Sequence, residues 1–198
     1  KYNVAPGQKQ AIITNQNPTE LSFHYWGLLP PWAKDLSMAY KMINARGETL
    51  EEKPAFKSAF NSKRCLIPAD GFYEWKKINK LKIPYHIRLK SLEMFAFAGL
   101  WEEWKDAEEK SRHTFTIITT EANTLMKDLH HRMPVMLPPH LEQEWLENPN
   151  PKDVNKMIQS FDSDKMEVFE VSDRVNKAGN EGEDLIKPSF SGKQMDLF

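Results

Sequence analysis

What most limits the fold of this 198-residue chain is the spacing of its apolar residues between positions 64 and 119. Five short runs, 64–68, 72–76, 84–89, 95–100 and 114–119, are rich in Phe, Ile, Val, Tyr and Thr, the residues that fit a pleated, half-buried surface. They are too short for helices of ordinary length, and turn formers punctuate them. Asn79-Lys80 is predicted to turn the hairpin between the second and third. Residues 11–14 and 21–26 also read as strands, the latter with Leu21, Phe23 and Tyr25 alternating onto one face. Helical patterns are few. One covers 54–60 with Pro54 in its first turn, one follows Pro138-Pro139 with Leu137, Leu141 and Trp145 at spacing four, and one runs about Asp153–Gln159. Glu167–Val171 reads as a last strand. Many short strands with few helices predict an α+β fold, mainly antiparallel, whose sheet closes towards a barrel; a doubly wound parallel sheet is disfavoured.

The length suits one domain, taken as residues 1–188, and 40% hydrophobic residues with six Trp supply a core without staples. From about Gly179 the chain turns polar and Gly-rich, and residues 189–198 read as a tail. The single cysteine, Cys65, excludes an internal disulfide framework and a Cys-based structural zinc. No window approaches the roughly 18 apolar residues of a membrane span, and no signal segment opens the chain. The expectation is a cytoplasmic protein, monomeric by default, with no membrane partner. A net charge of −1 argues against a non-specific nucleic-acid coat but leaves room for phosphate contacts in one cleft.

Four stretches are polar or charged where their surroundings are not. Ile43-Asn44-Ala45-Arg46-Gly47-Glu48 is a surface turn with a weak Arg46–Glu48 pair, or else Asn44 offers a fixed amide and Arg46 a planar fork for phosphate. In Arg64–Trp75, Glu74 lies between Tyr73 and Trp75. It faces solvent, or it faces a cleft lined by those rings, where desolvation would raise its pKa into the range for proton transfer. Asp70 suits the Asp70-Gly71 turn better, and Cys65 reads as a buried structural thiol. In Leu129-His130-His131-Arg132-Met133-Pro134, adjacent histidines in an extended segment point opposite ways and cannot readily share a metal. One of them is a core or surface histidine; the other, beside Arg132, is a candidate acid/base group next to an anion site. Trp26, Trp32 and Tyr40 are core residues or, around a Pro-rich loop, platforms for unpaired bases. No HExxH, calcium-loop, Walker or Rossmann pattern occurs, so neither a metal nor a nucleotide cofactor is expected.

Six segments together carry a resemblance. Tyr2-Asn3-Val4-Ala5-Pro6, Trp26–Trp32, Asn44–Thr49, Arg64–Trp75, Phe97–Glu102 and His130–Pro134 stand in the order of the SOS-response-associated peptidase (SRAP) family of abasic-site processing proteins. The resemblance runs from Lys1 to about Pro188, and Val171–Asn176 also fits. It implies covalent capture of abasic sites in single-stranded DNA during the SOS and DNA-damage response. The α-amine of an amino-terminal Cys, exposed by removal of the initiator Met, condenses with the sugar aldehyde, and its thiol closes a thiazolidine. An α-amine titrating near 8 makes this feasible at neutral pH. On the matching positions, Asn44 would bond the linked Cys. Glu74 would move protons and assist the peptidase-like removal of the leader. His130 would exchange a proton with the sugar oxygen, giving a lyase-like step. Arg46 and Arg132 would clamp flanking phosphates, and Trp26, ahead of Tyr40, would wedge against bases.

The family's nucleophile lies a few tens of residues ahead of the Tyr2–Pro6 segment. The 198 residues begin at Lys1 without it, so the expectation is a missing amino-terminal segment, and binding without thiazolidine formation by these residues alone. Gln194-Met195-Asp196-Leu197-Phe198 resembles the bacterial sliding-clamp pentapeptide, with Gln194 at a pocket rim and Leu197 and Phe198 inside it; the other reading is an arbitrary polar tail. Clamp tethering would concentrate the protein on replicating DNA, in association with the nucleoid. Two other readings remain: a non-covalent single-strand-binding or clamp-adaptor module, and a peptidase acting on other proteins.

Overall fold

A computed structural model describes residues 1–189, and the structural statements below concern these. In chain order the strands are β1 (Lys9–Thr14), β2 (Asn17–Trp26) and β3 (Asn44–Arg46), followed by helix α1 (Pro54–Ser62). Then come β4 (Arg64–Ala69), β5 (Phe72–Ile78), β6 (Leu81–Leu89), β7 (Phe95–Lys105), β8 (Ser111–Glu121), β9 (Arg132–Pro134) and β10 (Met136–Leu137). Helices α2 (Pro139–Glu147) and α3 (Pro151–Asn155) precede the last strand, β11 (Met166–Glu170). The principal sheet runs β7-β4-β1-β2-β8 and closes on itself through β7–β8, giving a five-stranded barrel. Most pairings are antiparallel, as expected, but β2 and β3 each run parallel to β8. A second sheet, β11-β6-β5, abuts the barrel.

Both faces of the barrel wall are buried, which is why β4 reads as a continuous apolar run. Cys65 and Ile67 point into the interior with Ile12, Phe97, Trp101 and Phe115. Leu66 points outward under Phe60 of α1 and Trp145 of α2. The two helices are tied down by one residue. Arg64, 2% exposed, donates to the carbonyls of Phe60 and Asn61 at the end of α1 and of Trp145, Leu146 and Asn148 at the end of α2. A planar cation there satisfies carbonyls that helix ends leave unpaired and sits at the negative end of both helix dipoles.

The hairpin turn is where the sequence put it: Asn79 takes φ +55°, a conformation that Asn tolerates. Three local readings change. The Leu21–Phe23–Tyr25 alternation is real, but that face turns to solvent, with Leu21 61% and Phe23 65% exposed. The inward positions go to His24, edge-on to Trp101 at 5.7 Å, and to Trp26, stacked on Phe115. The Asn44–Arg46 turn is a strand, because β8 offers it a partner. The helix expected over 153–159 is Pro151–Asn155 instead, its start set by Asn150 accepting from the Lys152 N–H. Among the described residues no helix is long and apolar enough to cross a membrane.

Two predictions follow from the packing. Arg64→Lys replaces a five-donor fork with three donors on one atom and strands buried carbonyls. It should cost on the order of 2–4 kcal/mol in urea unfolding, and an unchanged midpoint would refute the tie. Second, His24 and His86 are both buried, and desolvation pushes each imidazole down to about 4, with His113 adding to the shift of His24 and Arg88 to that of His86. Between pH 6.5 and 4 the unfolded chain therefore binds protons that the folded one refuses, so stability falls as pH drops through that window. His86→Gln should lose about one proton's worth of that slope; urea midpoints measured from pH 7 to 4 decide it.

Candidate functional site

Glu74 lies mid-strand on β5, the edge of the second sheet, paired with Tyr85 and on the same face as Phe72. It is half-buried, and its Oε1 accepts the Trp75 N–H at 3.0 Å. His130 follows a single 3₁₀ turn, Met126–Asp128, and its N–H donates to the Met126 carbonyl at 2.9 Å. Two residues distant in sequence, one on the second sheet and one in the loop before β9, thus line one cavity of about 470 Å³, with Trp75, Lys77, Lys82 and Asn176. Trp75 is held in place there by its indole N–H, which donates to Asn176 Oδ1 at 2.7 Å.

The imidazole of His130 is oriented by its own neighbour. The Arg132 N–H lies 3.1 Å from Nδ1 in donating geometry; in the tautomer that accepts it, the proton of the neutral ring sits on Nε2. The Arg132 carbonyl lies 3.2 Å from the same Nδ1, ready to accept if that nitrogen gains a proton. Either charge state has a partner, the property a proton shuttle needs. The segment turns instead of extending, so the His130 and His131 rings lie side by side, 4.3 Å apart, and do not point opposite ways. Even so, among the described residues no cluster of three His, Cys, Asp or Glu side chains could hold a metal.

Asn44 and Arg46 are exposed on one face of β3, while Ala45 is buried on the other. Pairing places Asn44 beside Ile117, which belongs to the apolar cluster that Phe72 and Leu129 also join. Asn44 does not line the Glu74–His130 cavity itself. Arg46 makes no ion pair among the described residues. Arg132 is differently placed: its guanidinium grips Glu48 through both terminal nitrogens, at 2.7 and 2.9 Å, and donates to the Thr119 carbonyl. That grip holds the Glu48 carboxyl below its ordinary range. The fork expected to meet phosphate is therefore already occupied by a carboxylate.

The aromatic set divides on exposure. Trp26 is pinned, its indole donating to the Ile43 carbonyl at 2.8 Å and its ring stacked on Phe115. Four other tryptophans likewise spend their indole N–H on Asn176, Asn15, Ala33 and Cys65. Trp32 makes no such bond and is 56% exposed; Tyr40 is 73% exposed. The most exposed rings of the set are those of Trp32 and Tyr40, while Trp26 is half-buried. Cys65 is fully buried, which pushes its thiol up and away from reactivity. Sequence reasoning passed over Lys77, Lys82 and Asn176; the first two sat in plain view in Lys76-Lys77-Ile78-Asn79-Lys80-Leu81-Lys82. Gln194, Leu197 and Phe198 lie outside the described residues. A larger groove of about 1040 Å³, lined in part by Leu89, Met94, Met136 and Phe161, contains none of the candidate site residues among those described.

The model of the SOS response associated peptidase (SRAP) family matches residues 1–178. Abasic site processing protein YoqW of Bacillus subtilis (strain 168) is 50% identical over 190 residues, 94% of this chain and 85% of that protein. Abasic site processing protein YedK of Escherichia coli (strain K12) is 29% identical over 95% of this chain and 84% of its own. An X-ray structure of a Bacteroides thetaiotaomicron protein has TM-score 0.83 at 30% identity, covering 92% of this chain and 82% of that one.

The orientation of His130 can be tested directly. Nitrogen NMR of the neutral protein should find His130 protonated at Nε2 and bare at Nδ1; the opposite tautomer would break the argument for its role.

Proposed function

The chain belongs to the SRAP family, and from that premise we propose that it captures abasic sites in single-stranded DNA. The observation that carries the reading is the shared cavity of Glu74 and His130. The names of the relatives, abasic site processing proteins at up to 50% identity, support the substrate.

An abasic sugar in its open form presents an aldehyde. A primary amine adds to that carbon, and the carbinolamine loses water to give an imine. Proton transfers are needed at the nitrogen and at both departing oxygens. His130, with a partner for either charge state, gives a proton to the ring oxygen as the sugar opens and recovers it on reversal. Glu74 takes the proton from the attacking amine and returns it to the hydroxyl that leaves as water. When the amine belongs to an amino-terminal Cys, its thiol then adds to the imine carbon, the thiol proton passes to the imine nitrogen, and a five-membered thiazolidine results. No residue of the 198 supplies that Cys; Cys65 is sealed in the core. With C1′ tied up in the ring, the β-elimination that breaks abasic strands is suppressed. Peptidase-like release of a leader by Glu74, and a place in the SOS response, belong to the same proposal.

Asn44, exposed on β3, would bond the linked Cys. Arg46, free of ion pairs, would meet a flanking phosphate. Arg132 would hold the rim of the site through Glu48, reaching phosphate only by letting go of that carboxylate. Stacking on splayed bases would fall to Trp32 and Tyr40, whose rings are the most exposed of the set. The Gln194–Phe198 tail would tether the protein to a sliding clamp, and the site of action would be the cytoplasm and nucleoid.

The test uses single-stranded DNA made abasic by uracil excision and protein with a Cys-initiated segment ahead of Lys1. A product that survives denaturation, absent with intact DNA, is expected. Glu74→Gln and His130→Ala should slow its formation or reversal by about 10²-fold or more with unchanged non-covalent affinity. Arg46→Ala should weaken binding and lower the salt slope by about 0.7. If all three variants behave alike, or intact DNA is captured equally, the reading fails.

A further inference from the structure

Two of the six residues around the Glu74–His130 cavity are lysines that the chemistry above does not use. Lys77 on β5 and Lys82 on β6 are direct cross-strand partners, so like charges face each other across the hairpin. Such a pair opposes strand pairing, and a hairpin tolerates it at a cost in stability. Both are exposed, and neither makes an ion pair among the described residues. The stretch 76–82 holds four lysines and no acid, in a chain whose net charge is −1. Five lysines elsewhere, Lys63, Lys105, Lys110, Lys156 and Lys187, are each paired with a carboxylate. The hairpin thus sets two lysines without ion pairs on the lining of the cavity, on a different sheet from the one that carries Arg46.

We propose that Lys77 and Lys82 form a phosphodiester clamp that holds the DNA backbone on one flank of the lesion, while Arg46 holds the other. The strand then crosses the cavity between a lysine pair on the second sheet and an arginine on the barrel rim, and its sugar is presented to Glu74 and His130 from two anchored sides. The lysines are suited to this as point charges: a mobile backbone can slide past two flexible ammonium groups until the abasic sugar drops into place. This inference rests on the site being one for abasic single-stranded DNA.

The test needs only the 198-residue chain and equilibrium anisotropy. The ligand is a single-stranded oligonucleotide with a central tetrahydrofuran abasic analogue, its phosphates neutralised one at a time as methylphosphonates. Lys77→Gln with Lys82→Gln should weaken binding on the order of tenfold or more at low salt and reduce the salt slope by about 1.4, two phosphates' worth for single strands. Lys57→Gln, on α1, should change neither. In the wild type, neutralising one or two phosphates on a single flank should reproduce the loss. The double variant should lose nothing more at those positions yet remain sensitive on the other flank, where Arg46→Ala is the insensitive protein. Lys77→Glu should weaken binding while raising the thermal midpoint, since it turns a repulsive cross-strand pair into an attractive one. An unchanged salt slope, or sensitivity to the same phosphates as Arg46→Ala, would overturn the clamp. Equal affinity for abasic and intact oligonucleotides, with the flank pattern preserved, would count against the lesion reading and leave the clamp standing.

Discussion

The guanidinium of Arg64 is the contact on which the outer half of this molecule depends. A five-stranded barrel can fill its own interior, but its outer wall carries Leu66, Ala98, Leu100 and Ile118, which must be covered. Helices α1 and α2 cover them, and both end against Arg64, which collects five of their terminal carbonyls. Because Arg64 is the first residue of β4, the same backbone that pairs with β1 and β7 fixes where both helices stop. Helix burial and strand register are coupled through one side chain.

From β4 the chain passes through Asp70-Gly71 into β5 and so leaves the barrel for the second sheet. A side chain on Gly71 would collide with His86, within 2.4 Å of its Nε2, so that passage is tight. The tightness matters for the site, which straddles the two sheets. Glu74 comes from the second sheet, His130 from the loop before β9, and Arg132 from β9 itself. The Arg132–Glu48 pair joins β9 to the turn after β3, and Arg132 also orients His130 through its backbone. One residue therefore serves as a rim tie through its side chain and as a positioning group through its peptide. Around this sits a ring of cations in unequal states: Arg132 neutralised, Arg46 and the lysine pair not.

Much of the site was legible because its residues violate their surroundings: a carboxylate amid aromatic strand residues, and two histidines beside an arginine. Their order also matched a family. Other features were not legible, and for definable reasons. Alternation in β2 gives the period but not which face is inside, and that was decided by whether Trp101 and Phe115 left room for His24 and Trp26. Tryptophans at 26 and 32 look equivalent in a Pro-rich loop; only the carbonyl of Ile43, brought there by folding, consumes one indole and not the other.

The amino-acid order by itself determined the long strands and the first two helices, the absence of disulfide staples, the turn at Asn79 and the residue types available for chemistry. These follow from local sterics and from periodicity, which act within a few residues. Only the tertiary structure decided that β2 and β3 run parallel to β8, that Glu74 meets His130, that Arg132 is spent on Glu48, and that Lys77 and Lys82 stand unpaired. Each of these depends on groups far apart in the chain. Which of two equally good local choices wins was set by the partner that closure of the barrel delivered.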